Sequence, residues 1–277
     1  GKDSGLLIGR KTMLNVLSLG AGVQSSCMAL MAANGELEPM PDCAIFADTG
    51  AEPQSVYEFL DYIEPLVPFP VHRVMEREGL ERDVYNAING ARCATPPFYT
   101  HSESGNKGIL RRQCTSEYKI KPIQKKVREL MGLESGQRGP KEIAVKMWIG
   151  ISLDESVRMK PNQIKWIENI WPLINKGMYR YDCLKWMMEH GYKEPRKSAC
   201  YFCPYHDNAT WKNMMDHDKD SWDKVVKFDS AIRAGLSGVT DPIFLHRSMQ
   251  PIDEVDFDPS RDQFDMFDHE CEGMCGV

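Results

Sequence analysis

The stretch from Met13 to Gly35 constrains the fold more than any other. Met13–Leu19 is a short apolar run of strand character that ends in Gly20-Ala21-Gly22. Such small residues let the backbone turn tightly and come close to a ligand. Beyond the turn the spacing becomes helical, with Val23, Cys27, Leu30 and Met31 on one face and Gly35 as a stop. A strand, a glycine-rich turn and a helix leave free backbone N–H groups and the positive helix end pointing at one place. Phosphate is the expected guest, with the hydroxyls of Ser18, Ser25 and Ser26 as further donors; the alternative is a plain turn before a helix. Neither G-x-x-x-x-G-K-[ST] nor G-x-G-x-x-G with its acidic partner occurs at this turn.

The pattern then repeats. Asp42–Ala47 is a second short strand ending at Asp48-Thr49-Gly50, and Glu52-Pro53 opens a helix with Val56, Phe59, Leu60 and Ile63 at core spacing. Pro65, Pro68 and Pro70 close that helix before a third strand at Val71–Val74. Two β-α units with short connections imply a parallel sheet, whose ligands sit beyond the carboxyl ends of the strands. Both the glycine turn and Asp48-Thr49-Gly50 lie at such ends. Asp48 is then a ligand-facing group or a turn former. Residues 91–108, rich in Gly, Pro, Ser and Thr, read as a long exposed loop. Lys141–Ile149 reads as a buried strand running into Gly150, and Tyr181–Gly191 as a helix with a glycine stop. Asp154 and Glu155 are general acid/base groups, metal ligands or a helix-start acidic pair. The expected fold class is α/β, with helices on both faces of a parallel sheet and a cysteine-containing helical appendage. The expected boundary divides residues 12–175 from 176–277.

Charge narrows the partner. The chain carries a net charge of −6, yet residues 105–165 hold 14 Lys/Arg against 6 Asp/Glu, and residues 216–277 hold 6 against 15. A basic middle suits a polyanion, whether nucleotide or nucleic-acid backbone, and solvated helix faces are the alternative. No apolar run approaches the roughly 18–20 residues of a membrane span, and the opening residues lack a signal-peptide layout, so a cytoplasmic location is expected. The 9 cysteines are odd in number and too sparse for a disulfide scaffold, which points to metal or redox chemistry. Cys200-x2-Cys203 has the spacing of a thiolate metal site and accounts for half of one, with Cys183 and Cys114 as the expected remainder and His206 as a competing ligand. Four thiolates suit a [4Fe–4S] cluster or Zn²⁺. Cys27 and Cys43 read as small buried hydrophobes; Cys93 has no assigned role.

Gly20-Ala21-Gly22-Val23-Gln24-Ser25 resembles the S-G-G-x-D-S loop of PP-loop ATP pyrophosphatases and phosphoadenylyl-sulfate (PAPS) reductases, with Gly20, Ala21 and Gln24 replacing Ser, Gly and Asp. Gln24 has no charge to offer Mg²⁺. Asp48-Thr49-Gly50 resembles the Asp-Thr-Gly of the same family, which implies that it approaches the adenosine. Leu110-Arg111-Arg112-Gln113-Cys114-Thr115 and Lys119 resemble the R-x-C-C-x-x-x-K-x-x-P stretch, with Thr115 in place of the second cysteine; Arg111 and Arg112 suit clamping of phosphate or sulfate. Gly150-Ile-Ser152-Leu-Asp154-Glu155-Ser156-Val-Arg158 resembles G-x-R-x-x-E-S-x-x-R, with Ser152 for the first Arg. Trp166–Ile174 resembles the tryptophan segment that follows in these reductases, its aromatics reading as core. Glu270-Cys271 and Cys275-Gly276 resemble the terminal E-C-G segment, which implies nucleophilic and resolving thiols.

The resemblance implies an adenine nucleotide alpha-hydrolase-like fold and an enzyme that binds ATP with Mg²⁺, releases AMP and pyrophosphate, and adenylates an oxygen for replacement by sulfur. It favours the cluster over zinc. DNA phosphorothioation is the expected setting, with a sulfur donor such as a cysteine desulfurase and a homodimer among the expected partners. A (P)APS reductase acting on a sulfonucleotide, a thiolase acting on tRNA or nucleobases, and a non-catalytic nucleotide-binding module are the alternatives.

Overall fold

A computed structural model of the protein describes residues 13–102 and 105–257. Its strands in chain order are β1 (Leu14–Ser18), β2 (Cys43–Asp48), β3 (Val71–Met75), β4 (Tyr99–His101), β5 (Lys107–Ile109), β6 (Val145–Trp148), β7 (Ile167–Ile170) and β8 (Ile243–Phe244). The helices are α1 (Val23–Ala33), α2 (Gln54–Ile63), α3 (Leu80–Ile88), α4 (Lys121–Leu130), α5 (Pro172–Asn175), α6 (Arg180–Glu189), α7 (Asn208–His217) and α8 (Lys219–Ile232).

Five strands form one sheet in the order β3-β2-β1-β6-β7, and every neighbouring pair in it is parallel. Side chains alternate across this sheet because successive residues of a strand face opposite ways. Leu17, Ala44, Phe46 and Trp148 pack with α1, α2 and α6 on one face. Val16, Ile45, Val145 and Met147 pack with Ile123 and Val127 of α4 on the other. Helices therefore cover both faces, as expected. β1 sits at the centre, buried on both sides, which explains its unbroken apolar sequence. From β1 the chain builds β2 and β3 to one side and β6 and β7 to the other. The end of β1 is thus the point where the strand order reverses, the usual ligand crevice of an open α/β sheet.

A separate apolar cluster joins Leu80 and Val84 of α3, Phe98, Tyr118, Phe202, Trp211 of α7 and Phe228 of α8. Beside it lies a small antiparallel sheet in the order β5-β4-β8. One expectation changes here. The segment 91–108 carries β4 and the start of β5, so it is in part a hairpin. The apolar clusters run across residue 176: α6 shares a core with α1, whereas α3, Phe98 and Tyr118 share one with the C-terminal helices. Among the described residues no helix is long and apolar enough to cross a membrane.

Candidate functional site

The turn after β1 is built by close backbone approach. Ala21 holds φ at +56°, a left-handed conformation that L-residues adopt at some cost. Ser25 accepts a hydrogen bond from the Gly20 N–H at 3.1 Å, and Ser26 N–H closes on the Gly22 carbonyl at 3.1 Å as the helix begins. Gly150, just past β6, lies against this turn: a Cβ there would meet the Ser25 nitrogen at 2.8 Å and its Cα at 2.9 Å. Glycine is therefore required at that position by space. The Ser26 hydroxyl is buried with no hydrogen-bond partner in the described structure.

Gln24 is the hub of a polar network above the turn. Its amide donates to Ser152 Oγ at 3.3 Å and to Glu155 Oε2 at 3.1 Å, and its carbonyl oxygen accepts from Arg180 Nη1 at 2.9 Å. Glu155 also pairs with Arg158, while the Asp154 carboxylate accepts from the Arg180 backbone N–H at 3.0 Å. The amide thus gathers, by hydrogen bonds, two segments that carry cations. Ser18, Gly20, Ala21, Gly22, Gln24, Ser25, Ser26, Gly150 and Arg158 come together in space. Arg180 was not singled out in the sequence. Its only local signal is its place at the first position of a helix whose apolar residues face α1.

The second strand end forms its own unit. Asp48 Oδ1 accepts from the Gly50 N–H and from the Tyr57 hydroxyl, each at 2.7 Å, so the carboxylate acts as a turn former. Burial and that carboxylate push the Tyr57 hydroxyl well above its ordinary pKa. Thr49 Oγ1 donates to Glu52 Oε1 at 3.2 Å and lies 3.3 Å from Cys200 Sγ. Glu52 and Lys119 form an ion pair at 3.5 Å in which both side chains are almost wholly buried. Glu52 Oε2 has no hydrogen-bond partner in the described structure. Lys119 reaches inward from a wide helical turn, Ser116–Ile120, that leads into α4. Wide turns of this kind re-aim side chains and recur at functional sites.

Cys114, Cys200 and Cys203 line one narrow, mostly apolar cavity of about 20 Å³, together with Thr49, Arg112 and Lys119. Burial, then the Glu52 carboxylate, raise the Cys200 thiol well above its ordinary pKa, opposed by Lys119. Arg112 lies over the Tyr205 ring, 5.5 Å from its centroid. The expected ligand Cys183 is elsewhere. It is fully buried in the α1–α6 core, where its hydrogen bond to Cys27, followed by burial, raises the Cys27 thiol. The stripe Cys183, Trp186 and Met187 faces α1 and is core. His206 is also spoken for: its Nε2 lies 3.0 Å from the Cys200 carbonyl. Burial, then Lys197, lower it to about 4. Cys93 adjoins Cys114 closely enough for charge on one to raise the other.

Among the described residues no three His, Cys, Asp or Glu side chains converge to hold a metal ion, and of the four expected ligands Cys183 lies apart from the cavity that Cys114, Cys200 and Cys203 share. Cys114, Cys200 and Cys203 are thiol donors on one cavity with room for about one water, whereas Cys93 is not among the residues lining it. Cys271 and Cys275 lie outside the described residues. Cys27 and Cys43 are buried in the two sheet cores as small hydrophobes.

Fold and site together define an α/β protein with a glycine turn at the reversal point of a parallel sheet and a cysteine-lined cavity beside the next strand end. No family model matches the chain, and no curated protein does. Among solved structures, the chain is similar to a phosphoadenylyl-sulfate (PAPS) reductase from Candida auris, determined as a phosphate complex. The match has a TM-score of 0.44 at 13% identity, over 65% of this chain and 74% of that one.

Proposed function

We propose that this chain is an ATP pyrophosphatase of the PAPS-reductase-like branch, which adenylates a substrate oxygen so that sulfur can replace it, with the DNA backbone as acceptor. The observation that carries the reading is the turn Gly20–Ser26 at the reversal point of the sheet, with Arg158 and Arg180 gathered over it through Gln24 and Glu155. Backbone N–H groups and the start of α1 favour the triphosphate. Arg158 and Arg180 are placed to neutralise charge as it shifts toward the leaving pyrophosphate. In the reaction the acceptor oxygen attacks the α-phosphorus, the bond from that phosphorus to the bridging oxygen breaks, and pyrophosphate leaves. Mg²⁺ arrives with ATP, since Gln24 supplies no charge for it and Glu155 is engaged with Arg158.

A cluster held by Cys114, Cys200 and Cys203 would supply sulfur or electron-transfer chemistry when bound. Arg112 and Lys119, which line the cysteine cavity with Thr49, would offset its negative charge. Sulfur comes from a donor such as a cysteine desulfurase, and Cys271 and Cys275 are proposed as the thiols that handle it. The test is product analysis on purified protein given MgATP and DNA. Pyrophosphate is expected, matched by an equal amount of AMP found either free or joined to the DNA oxygen that attacked. Sulfite from PAPS or APS, with no pyrophosphate from ATP, would overturn the reading in favour of a reductase. ATP binding without any product would leave a binding module.

A further inference from the structure

A second opening lies beside the cysteine cavity and belongs to no part of the nucleotide turn. It is a polar cleft of about 820 Å³, bounded by Arg77, the 92–94 and 111–117 segments, the start of α4 and Gln163. Five cations line it (Arg77, Arg92, Arg111, Arg112 and Lys121), against one carboxylate, Glu117. That carboxylate is already shared between Arg77 at 3.3 Å and Lys121, and Arg77 is further tied to Asp83 at 2.7 Å. Arg92 and Arg111 are exposed and make no ion pair among the described residues. In a chain of net charge −6, such a concentration of positive charge runs against the overall balance. A concave cationic surface focuses the field on an anion.

The lining also discriminates between kinds of anion. Among the described residues no aromatic ring lines the cleft, so they offer no stacking platform for bases; Gln113, Gln124 and Gln163 supply neutral hydrogen-bonding groups instead. Phosphate contacts of this kind position a strand without reading its sequence. Arg112 lines both this cleft and the cysteine cavity, so a phosphate at Arg112 would stand where the two openings meet.

We propose that this cleft seats the sugar–phosphate backbone of a nucleic acid, held by Arg92, Arg111 and Arg112, with one backbone phosphate delivered to Arg112 at the mouth of the cysteine cavity. The inference rests on the reading of the chain as an enzyme that activates a polyanionic acceptor, and it names where that acceptor lies.

The test is fluorescence anisotropy of the full chain with a labelled duplex DNA, the same sequence as RNA, and inorganic tripolyphosphate as competitor, across a salt series. Three phosphate contacts predict a slope of log K against log salt of about −3 on duplex, or about forty-fold weaker binding for a fourfold rise in salt. Arg92→Ala and Arg111→Ala should each make the slope shallower by about one, with little dependence on sequence. Binding of either nucleic acid with that behaviour supports the cleft, and the tighter of the two identifies the natural source. A slope unchanged in Arg92→Ala, or displacement of the duplex by tripolyphosphate at equal phosphate concentration, would overturn it. ATP affinity, measured separately, should be unchanged in Arg92→Ala. Loss of the Arg92 effect with pyrophosphate release intact sinks the cleft alone, whereas DNA binding of the expected slope without ATP turnover sinks the pyrophosphatase reading alone.

Discussion

Gly150→Ala is the sharpest probe of the glycine turn as the proposed nucleotide site. The added Cβ would stand 2.8 Å from the Ser25 nitrogen, 2.9 Å from its Cα and 3.1 Å from its Cβ. The first two are backbone atoms at the start of α1, so no side-chain rotation relieves the overlap. Either the segment after β6 lifts or the turn is pushed out of shape. Overpacking of this kind costs about 1–3 kcal/mol, and each kcal/mol lowers the melting temperature of a chain this size by about 2–4 °C. A fall of about 2–12 °C in a thermal melt is therefore expected, with ATP affinity in titration calorimetry reduced by about ten-fold or more as the amides of 20–26 lose their alignment. An unchanged melt would refute the packing of Gly150 on Ser25. A lowered melt with undiminished ATP affinity would refute the turn as the nucleotide site.

Other perturbations test the surrounding framework. Lys119→Met should destabilise by about 3–5 kcal/mol in chemical denaturation, because it strands the buried Glu52 carboxylate. The double variant Lys119→Met/Glu52→Gln should recover much of that loss, and equal losses would refute the coupling. In anaerobically purified protein, Cys200→Ala and Cys203→Ala should lower iron content and visible absorbance while Cys183→Ala leaves both unchanged. The reverse pattern would return Cys183 to the ligand set. His246 is buried between Asn208 and Ser248 and, chiefly by burial, is lowered to about 4. An unfolded His binds protons below about 6.5 while the folded one stays neutral, so stability is full above that pH and falls as pH drops toward 4. His246→Asn should flatten this dependence in melts at pH 7 and pH 5; an equally steep loss in the variant would refute the assignment.

Much of the glycine turn was legible because its determinants are local. An apolar run, three small residues and the switch to helical spacing lie within the twenty residues or so that a strand–turn–helix needs, and the structure places β1 and α1 there. The parallel sheet followed from short β-α connections for the same reason. The cysteines were legible only in part. Cys200 and Cys203 are tied by one turn, and Cys114 joins them at the cavity. Cys183 was misplaced although Trp186 and Met187, at helical spacing beyond it, already marked its face of α6 as core. The exposed hairpin at β4 and β5 was hidden because its strands are three residues each, too short for alternation to show.

What the sequence by itself determined is the βα architecture, the glycine turn at the end of β1, and the excess of cations in the middle of the chain. What only the tertiary structure decided is the company those residues keep: Arg180 beside Gln24, Glu52 beside Lys119, Thr49 beside Cys200, and Arg92 lining one cleft with Arg111. The reason is physical. Backbone turns and amphipathic spacing are set by neighbours in the chain. Ion pairs and shared cavities form between residues separated by tens or more than a hundred positions, whose meeting depends on how the sheet orders its strands and where the helices dock.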